Sequence, residues 1–138
     1  MDRLTPEQRS KNMAQIRSRD TKPEKLVRSQ LHRMGYRFRL HVKTLPGSPD
    51  IVLPRYKTII FVHGCFWHKH NCPEGNRVPK SNVEYWVSKI KRNVSRDEKN
   101  QKILQEQGWN VFIVWDCMTR NLQSLQQALS NFFKKIDR

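Results

Sequence analysis

The sequence predicts an α/β fold in which a central sheet is flanked by helices, and three observations predict it. Thr58-Ile59-Ile60-Phe61-Val62 is apolar on both faces and largely β-branched, which suits a central strand. Shorter strand-like stretches precede it, and a second apolar stretch, Trp109 to Trp115, follows after a long helical segment. Helices, a meander of strands, a helix, a strand and a closing helix together make a sheet sandwiched by helices.

The elements follow in order. Two N-terminal helices are each announced by a capping box, Thr5-Pro6-Glu7-Gln8 and Thr21-Lys22-Pro23-Glu24, with proline in the first turn. In the second helix Leu26, Val27, Leu31 and Met34 keep helical spacing, and Gly35 supplies the stop. Tyr36-Arg37-Phe38-Arg39-Leu40 alternates as a half-buried strand does, before a turn through Leu45-Pro46-Gly47-Ser48-Pro49. Asp50 to Leu53 reads as a strand stopped by Pro54.

From His63 to Pro79 there is no periodicity, and His, Cys, Gly and Pro collect, so an ordered loop is expected that something other than apolar burial holds. A long helix runs from about Ser81 to Gly108, capped by Ser81 with Glu84. On its wheel Val83, Val87, Ile90 and Val94 form a core stripe, and Trp86, Lys89, Asn93 and Asp97 form a separate polar stripe beside it. Leu122 to Ile136 closes the chain as an amphipathic helix.

At 138 residues the chain suits a single domain, 1–138. Its 27 Lys and Arg against 12 acidic residues give a formal charge of +15, spread along the whole chain. Such a field attracts polyanions, nucleic acid first among them, because phosphates release counterions to Lys and Arg. A membrane partner is not expected, since the longest apolar stretch is far too short to span a bilayer. The N-terminus lacks the apolar segment of a secretory signal, so a cytoplasmic location is expected.

Three cysteines are an odd number for a disulfide framework, which points to metal binding or burial. Cys65, His70 and Cys72 share the irregular loop, and Cys117 sits just past the strand ending at Trp115. Three thiolates and an imidazole suit tetrahedral zinc, which would contribute folding free energy where the loop cannot bury enough apolar surface. Spacing alone leaves His68 competing with His70 as the fourth ligand.

Asp50 heads a strand after the Pro-Gly-Ser-Pro turn, where a carboxylate can be aimed at a divalent ion. The next strand ends in His63-Gly64-Cys65-Phe66-Trp67-His68, which sets two imidazoles and two aromatics at the same sheet end. Phe66 and Trp67, together with Trp86, could wedge between base pairs. Met13 lies among Arg9, Lys11, Arg17 and Arg19 on a first helix too poor in apolar residues to pack well, which favours residues 1–20 as a DNA-clamping helix.

Arg9-Ser10-Lys11-Asn12-Met13, Pro46-Gly47-Ser48-Pro49-Asp50 and Phe61-Val62-His63-Gly64-Cys65-Phe66-Trp67-His68 resemble the very short patch repair (Vsr) endonucleases. The likeness continues through Trp86, Lys89-Ile90, Asn93-Val94, Arg96-Asp97, Gly108-Trp109 and Val114-Trp115-Asp116-Cys117, so it covers nearly the whole chain. The resemblance implies a restriction-endonuclease-like fold, with a central mixed sheet and a structural zinc. It also implies a magnesium-dependent nick of one strand beside the thymine of a T:G mismatch left by deamination of 5-methylcytosine.

Roles follow from the same resemblance. Asp50 would hold magnesium with the main-chain carbonyl of Val62, His63 and Asp97 would orient waters, and His68 would be the general base. Glu24 would complete the acidic surroundings, and Cys65, His70, Cys72 and Cys117 would bind zinc. Met13, Phe66, Trp67, Trp86, Lys89 and Asn93 would contact DNA. A metal neutralises charge at phosphorus, and a base with a pKa near neutrality takes the proton of the attacking water. Two departures stand out: Phe61-Val62-His63 lacks the second acid and lysine of restriction enzymes, where the family substitutes histidines, and Val62 replaces an expected Thr. A ligand that is a main-chain carbonyl survives that change.

The implied partner is duplex DNA carrying a T:G mismatch, with mismatch-repair proteins beside it, and the enzyme is expected to act as a monomer because one mismatch has no two-fold axis. A restriction-type enzyme cutting matched duplex, a non-catalytic zinc module and an RNA-binding protein are the rival readings.

Overall fold

The computed structural model describes residues 21–65, 70–73, 75–76 and 81–136. The first capping box, the clamping helix with Met13, and Phe66, Trp67 and His68 lie outside them.

Helix α1 (Lys22–Arg33) starts at Thr21, whose hydroxyl accepts the Glu24 N–H at 3.4 Å. The Glu24 carboxylate accepts from Arg28 one turn on. Gly35 stops the helix at a φ of +89°, which a side chain would resist. Four strands follow: β1 (Arg39–Leu40), β2 (Ile51–Leu53), β3 (Thr58–His63) and β4 (Asn110–Trp115). They form one sheet in the order β1-β2-β3-β4, antiparallel except for the parallel β3–β4 pair. Helix α2 (Val83–Glu106) makes the crossover that a parallel pair requires, and α3 (Leu122–Ile136) closes the chain. The fold is therefore a mixed α/β sheet with helices on both faces.

Two clusters of buried side chains divide along the alternation of the strands. On one face Ile51, Leu53, Ile60 and Val114 pack against Val27 and Leu31 of α1 and Leu125, Leu129 and Phe133 of α3. On the other, Val52, Ile59 and Phe61 pack against Leu104 of α2. Strand β3 is central, as its two-sided apolar character predicts. Among the described residues no helix is long and apolar enough to cross a membrane.

Several expectations are corrected. The strand predicted over Tyr36–Leu40 is only Arg39–Leu40, because Tyr36 stacks on Phe133 at 4.0 Å and so belongs to the helical layer. Strand β4 is an edge strand with only Val114 fully buried, where a second buried strand was expected. Helix α2 begins at Asn82 in the left-handed region, with no side-chain cap, where Ser81 and Glu84 were expected to cap it. Its core stripe is also turned: Val83 and Val87 are exposed, while Ile90 and Leu104 are buried and Trp86, Lys89, Asn93 and Asp97 are half-buried.

Candidate active site and metal centre

The start of β2 and the ends of β3 and β4 meet at one end of the sheet. In the β2–β3 register Ile51 faces Ile60, so the next paired position along β3, Val62, faces Pro49. Proline has no N–H to offer the Val62 carbonyl across the ladder. The Val62 N–H donates to Oδ2 of Asp50 at 2.7 Å. A residue in an extended strand points its N–H and C=O to the same side, so the Val62 carbonyl faces the Asp50 side too.

The turn before Asp50 is tightly fitted. Gly47 has a φ of +79°, and a Cβ there would lie 3.1 Å from the Phe61 ring and 3.2 Å from Nδ2 of Asn100 on α2. Glycine is the residue that lets this turn sit down on β3 and α2. On the other side of Asp50 the β1–β2 register continues one step past Leu40, where the His41 N–H donates to the Asp50 carbonyl at 3.1 Å.

Glu24 comes in from the first turn of α1, with its side chain only 5% exposed. Arg28, one turn on, donates from Nη2 to Oε2 of Glu24 at 3.0 Å, and His41 Nε2 lies 3.5 Å from the same oxygen. Burial pushes the Asp50 carboxyl up to about 7; the Val62 N–H pulls it down, Glu24 raises it further, and Arg28 lowers it. One donor atom each from Glu24, His41 and Asp50 lies within 4.8 Å of the others. Two carboxylate oxygens suit a hard divalent ion such as magnesium, so the residues fit that group. The sequence singled out Asp50 and Glu24 but missed His41 and Arg28.

His63 ends β3 on the α2 side of the sheet, buried between Phe61 at 5.5 Å and Trp115 at 5.4 Å between ring centroids. Leu104 of α2 packs with Ile59, and Asn100 reaches the Gly47 turn over Phe61. Asp97 lies on α2 one turn before Asn100 and is half-buried. Further along the same helix face Trp86 meets Tyr85 edge-on, and Lys89 holds its ammonium 5.8 Å and 5.9 Å from the two rings. Asn93 accepts a 2.6 Å bond from Arg96.

The second donor set follows from the parallel register. His63 faces Trp115, so Cys65 and Cys117, two residues beyond each, fall side by side, and the Cys117 N–H donates to Sγ of Cys65 at 3.4 Å. His70 and Cys72 fold back from the loop, and one donor atom from each of the four residues lies within 4.8 Å of the others. Cys117 Sγ stands 3.4 Å from Nδ1 of His70. Tetrahedral zinc with its ordinary bond lengths sets sulfur and nitrogen about 3.5 Å apart, so the four residues fit that metal. Burial pushes the Cys65 thiol up to about 12. His70, the histidine that the resemblance names, is in this set, and His68 lies outside the described residues.

The chain is 52% identical over 130 residues to the Type II nicking enzyme V.XorIIP of Xanthomonas oryzae pv. oryzae, a match spanning 94% of this chain and 95% of that protein. It is 43% identical over 135 residues to the Type II nicking enzyme V.NmeAIP of Neisseria meningitidis, spanning 98% and 96%. It is 47% identical over 117 residues to the DNA mismatch endonuclease Vsr of Escherichia coli, spanning 85% and 74%. Similarity over most of the chain to relatives that carry these names gives the class as a DNA endonuclease, here on an α/β core. Residues 1–74 match the family described as DNA mismatch endonuclease Vsr, and the chain belongs to that family.

Proposed function

We propose that this endonuclease nicks one strand of duplex DNA beside the thymine of a T:G mismatch, with magnesium at the Asp50 cluster and zinc in the Cys/His cage. The observation that carries the reading is the Asp50 carboxylate, held at 2.7 Å by the Val62 N–H within reach of Glu24 and His41, in a chain of the Vsr family. The relatives named nicking enzymes favour cutting one strand over cutting both.

Asp50, with the Val62 carbonyl and Glu24 nearby, would hold the magnesium ion, which supplies charge neutralisation at the scissile phosphate and a more acidic water. His63, packed between Phe61 and Trp115, and Asp97 of α2 would orient water by hydrogen bonding. His68 as general base, and Met13, Phe66 and Trp67 as residues inserted into the duplex, lie outside the described residues and rest on the family resemblance alone. Trp86, Lys89 and Asn93 occupy one face of α2, where an indole can stack and an ammonium and an amide can reach base edges. Zinc bound by Cys65, His70, Cys72 and Cys117 would tie the loop after β3 to the end of β4. A single mismatch has no two-fold axis, which favours a monomer; it would act on DNA in the bacterial cytoplasm, alongside mismatch-repair proteins.

The test is Asp50→Asn, which keeps an oxygen for the Val62 N–H but loses the charge. It should bind mismatched duplex within about threefold of the wild type while magnesium-dependent nicking falls by about a thousandfold or more. Nicking near the wild-type rate would remove Asp50 from the chemistry.

A further inference from the structure

We propose that Arg28 is a resident cation of the carboxylate cluster, so that a divalent ion binds there by exchange against the guanidinium. The proposal rests on the reading of Asp50 and Glu24 as a cation site. Arg28 Nη2 lies 3.0 Å from Oε2 of Glu24 and 3.0 Å from Nε2 of His41. A guanidinium has donors only, so a hydrogen bond in that contact uses the Nε2 lone pair of His41. His41 Nε2 also lies 3.5 Å from the same Glu24 oxygen.

Three lone-pair atoms therefore converge, from Glu24, His41 and Asp50, and a positive charge already bridges two of them. An ion shared by Glu24 and His41 either displaces Nη2 or sits against a like charge. The Arg28 side chain is 17% exposed and that of Glu24 5%, so solvent screens that repulsion only weakly. Arg28 would hold the buried carboxylates together without metal and set a threshold that the ion must exceed. Neither the sequence pattern nor the family resemblance gave Arg28 or His41 a role; the contact appears only when α1 and the residue after β1 are brought together.

The experiment measures Mn2+ binding to the zinc-loaded full chain by electron paramagnetic resonance of the free ion, with Mg2+ by calorimetry in parallel. Wild type, Arg28→Met, Arg28→Lys and Asp50→Asn are compared after circular dichroism has checked their fold. Arg28→Met keeps the stem and removes the charge, and should bind Mn2+ at least tenfold tighter than wild type, about 1.4 kcal/mol. Its metal-free thermal midpoint should fall and recover on Mn2+ addition by more than that of wild type. Arg28→Lys, which keeps a charge, should stay within about threefold of wild type. If Arg28→Met does not fold, Arg28→Gln carries the same comparison. Unchanged or weaker Mn2+ binding without the charge, or equal tightening in the Lys and neutral variants, overturns the proposal while loss of binding in Asp50→Asn still upholds the site. Wild-type Mn2+ affinity in Asp50→Asn would instead sink the site reading, and this proposal with it.

Discussion

The His70 imidazole lies flat against the Trp115 indole, with 4.3 Å between centroids and 15° between planes. Trp115 in turn meets His63 edge-on at 5.4 Å. One indole thus stands between the Cys/His cage and the buried histidine at the end of the central strand, so disorder in the cage has a direct route to the nuclease end.

Removing a cage ligand should therefore cost both metal and order. Cys117→Ala is expected to drop zinc from about one per chain to near zero, and the thermal midpoint by about 10 °C or more. Metal analysis and a thermal scan check this together. Because the buried Cys65 thiol sits near 12, zinc must displace its proton, so uptake should release protons and weaken as pH falls.

Asp50 gives a pH dependence of definite sign. Its folded pKa, about 7, lies above the ordinary value of 3.8, chiefly through burial. Between those values the metal-free folded chain holds a proton that the unfolded chain has released, so stability falls as pH rises through that window. Asp50→Asn should raise metal-free stability above pH 7 by roughly 1–3 kcal/mol while abolishing nicking. Magnesium should raise the wild-type midpoint more at pH 8 than at pH 6, and calorimetric scans at the two pH values measure it.

Gly47 couples the turn to the carboxylate. Gly47→Ala forces a side chain onto a φ of +79° and against the Phe61 ring at 3.1 Å, and should destabilise by about 1–3 kcal/mol. Because Asp50 follows two residues after this turn closes, nicking should fall further than the lost stability explains. Urea denaturation and single-turnover rates on the same preparation separate the two effects.

The formal charge of +15 predicts steep salt dependence. Duplex binding should weaken at least tenfold between 50 and 200 mM salt, as expected when several phosphates are neutralised. A flat titration would show that the charge is not used on DNA.

Much of this molecule was legible because its signals are local. The two-faced apolar run at Thr58 gave the central strand, the span Leu122–Ile136 matched its helix end for end, and rare cysteines marked the cage. His41 was not legible: a lone histidine gains meaning only from the β1–β2 register that sets it beside Asp50, and from the turn of α1 that brings Arg28 to its ring. The packing side of α2 was also misread. Valine spacing named one stripe, but of it only Ile90 is buried, Val94 is half-buried like Trp86, Lys89, Asn93 and Asp97, and Val83 and Val87 are exposed. Tyr36 likewise left its expected strand for a ring stack on Phe133.

The most direct test of the central claim uses two end-labelled duplexes, identical but for T:G or C:G at one position, each labelled separately on either strand. With magnesium, the account predicts a single nick beside the thymine on the T:G duplex, no cut on the opposite strand, and none with Asp50→Asn. Equal cutting of the T:G and C:G duplexes, or cutting of both strands, would contradict it.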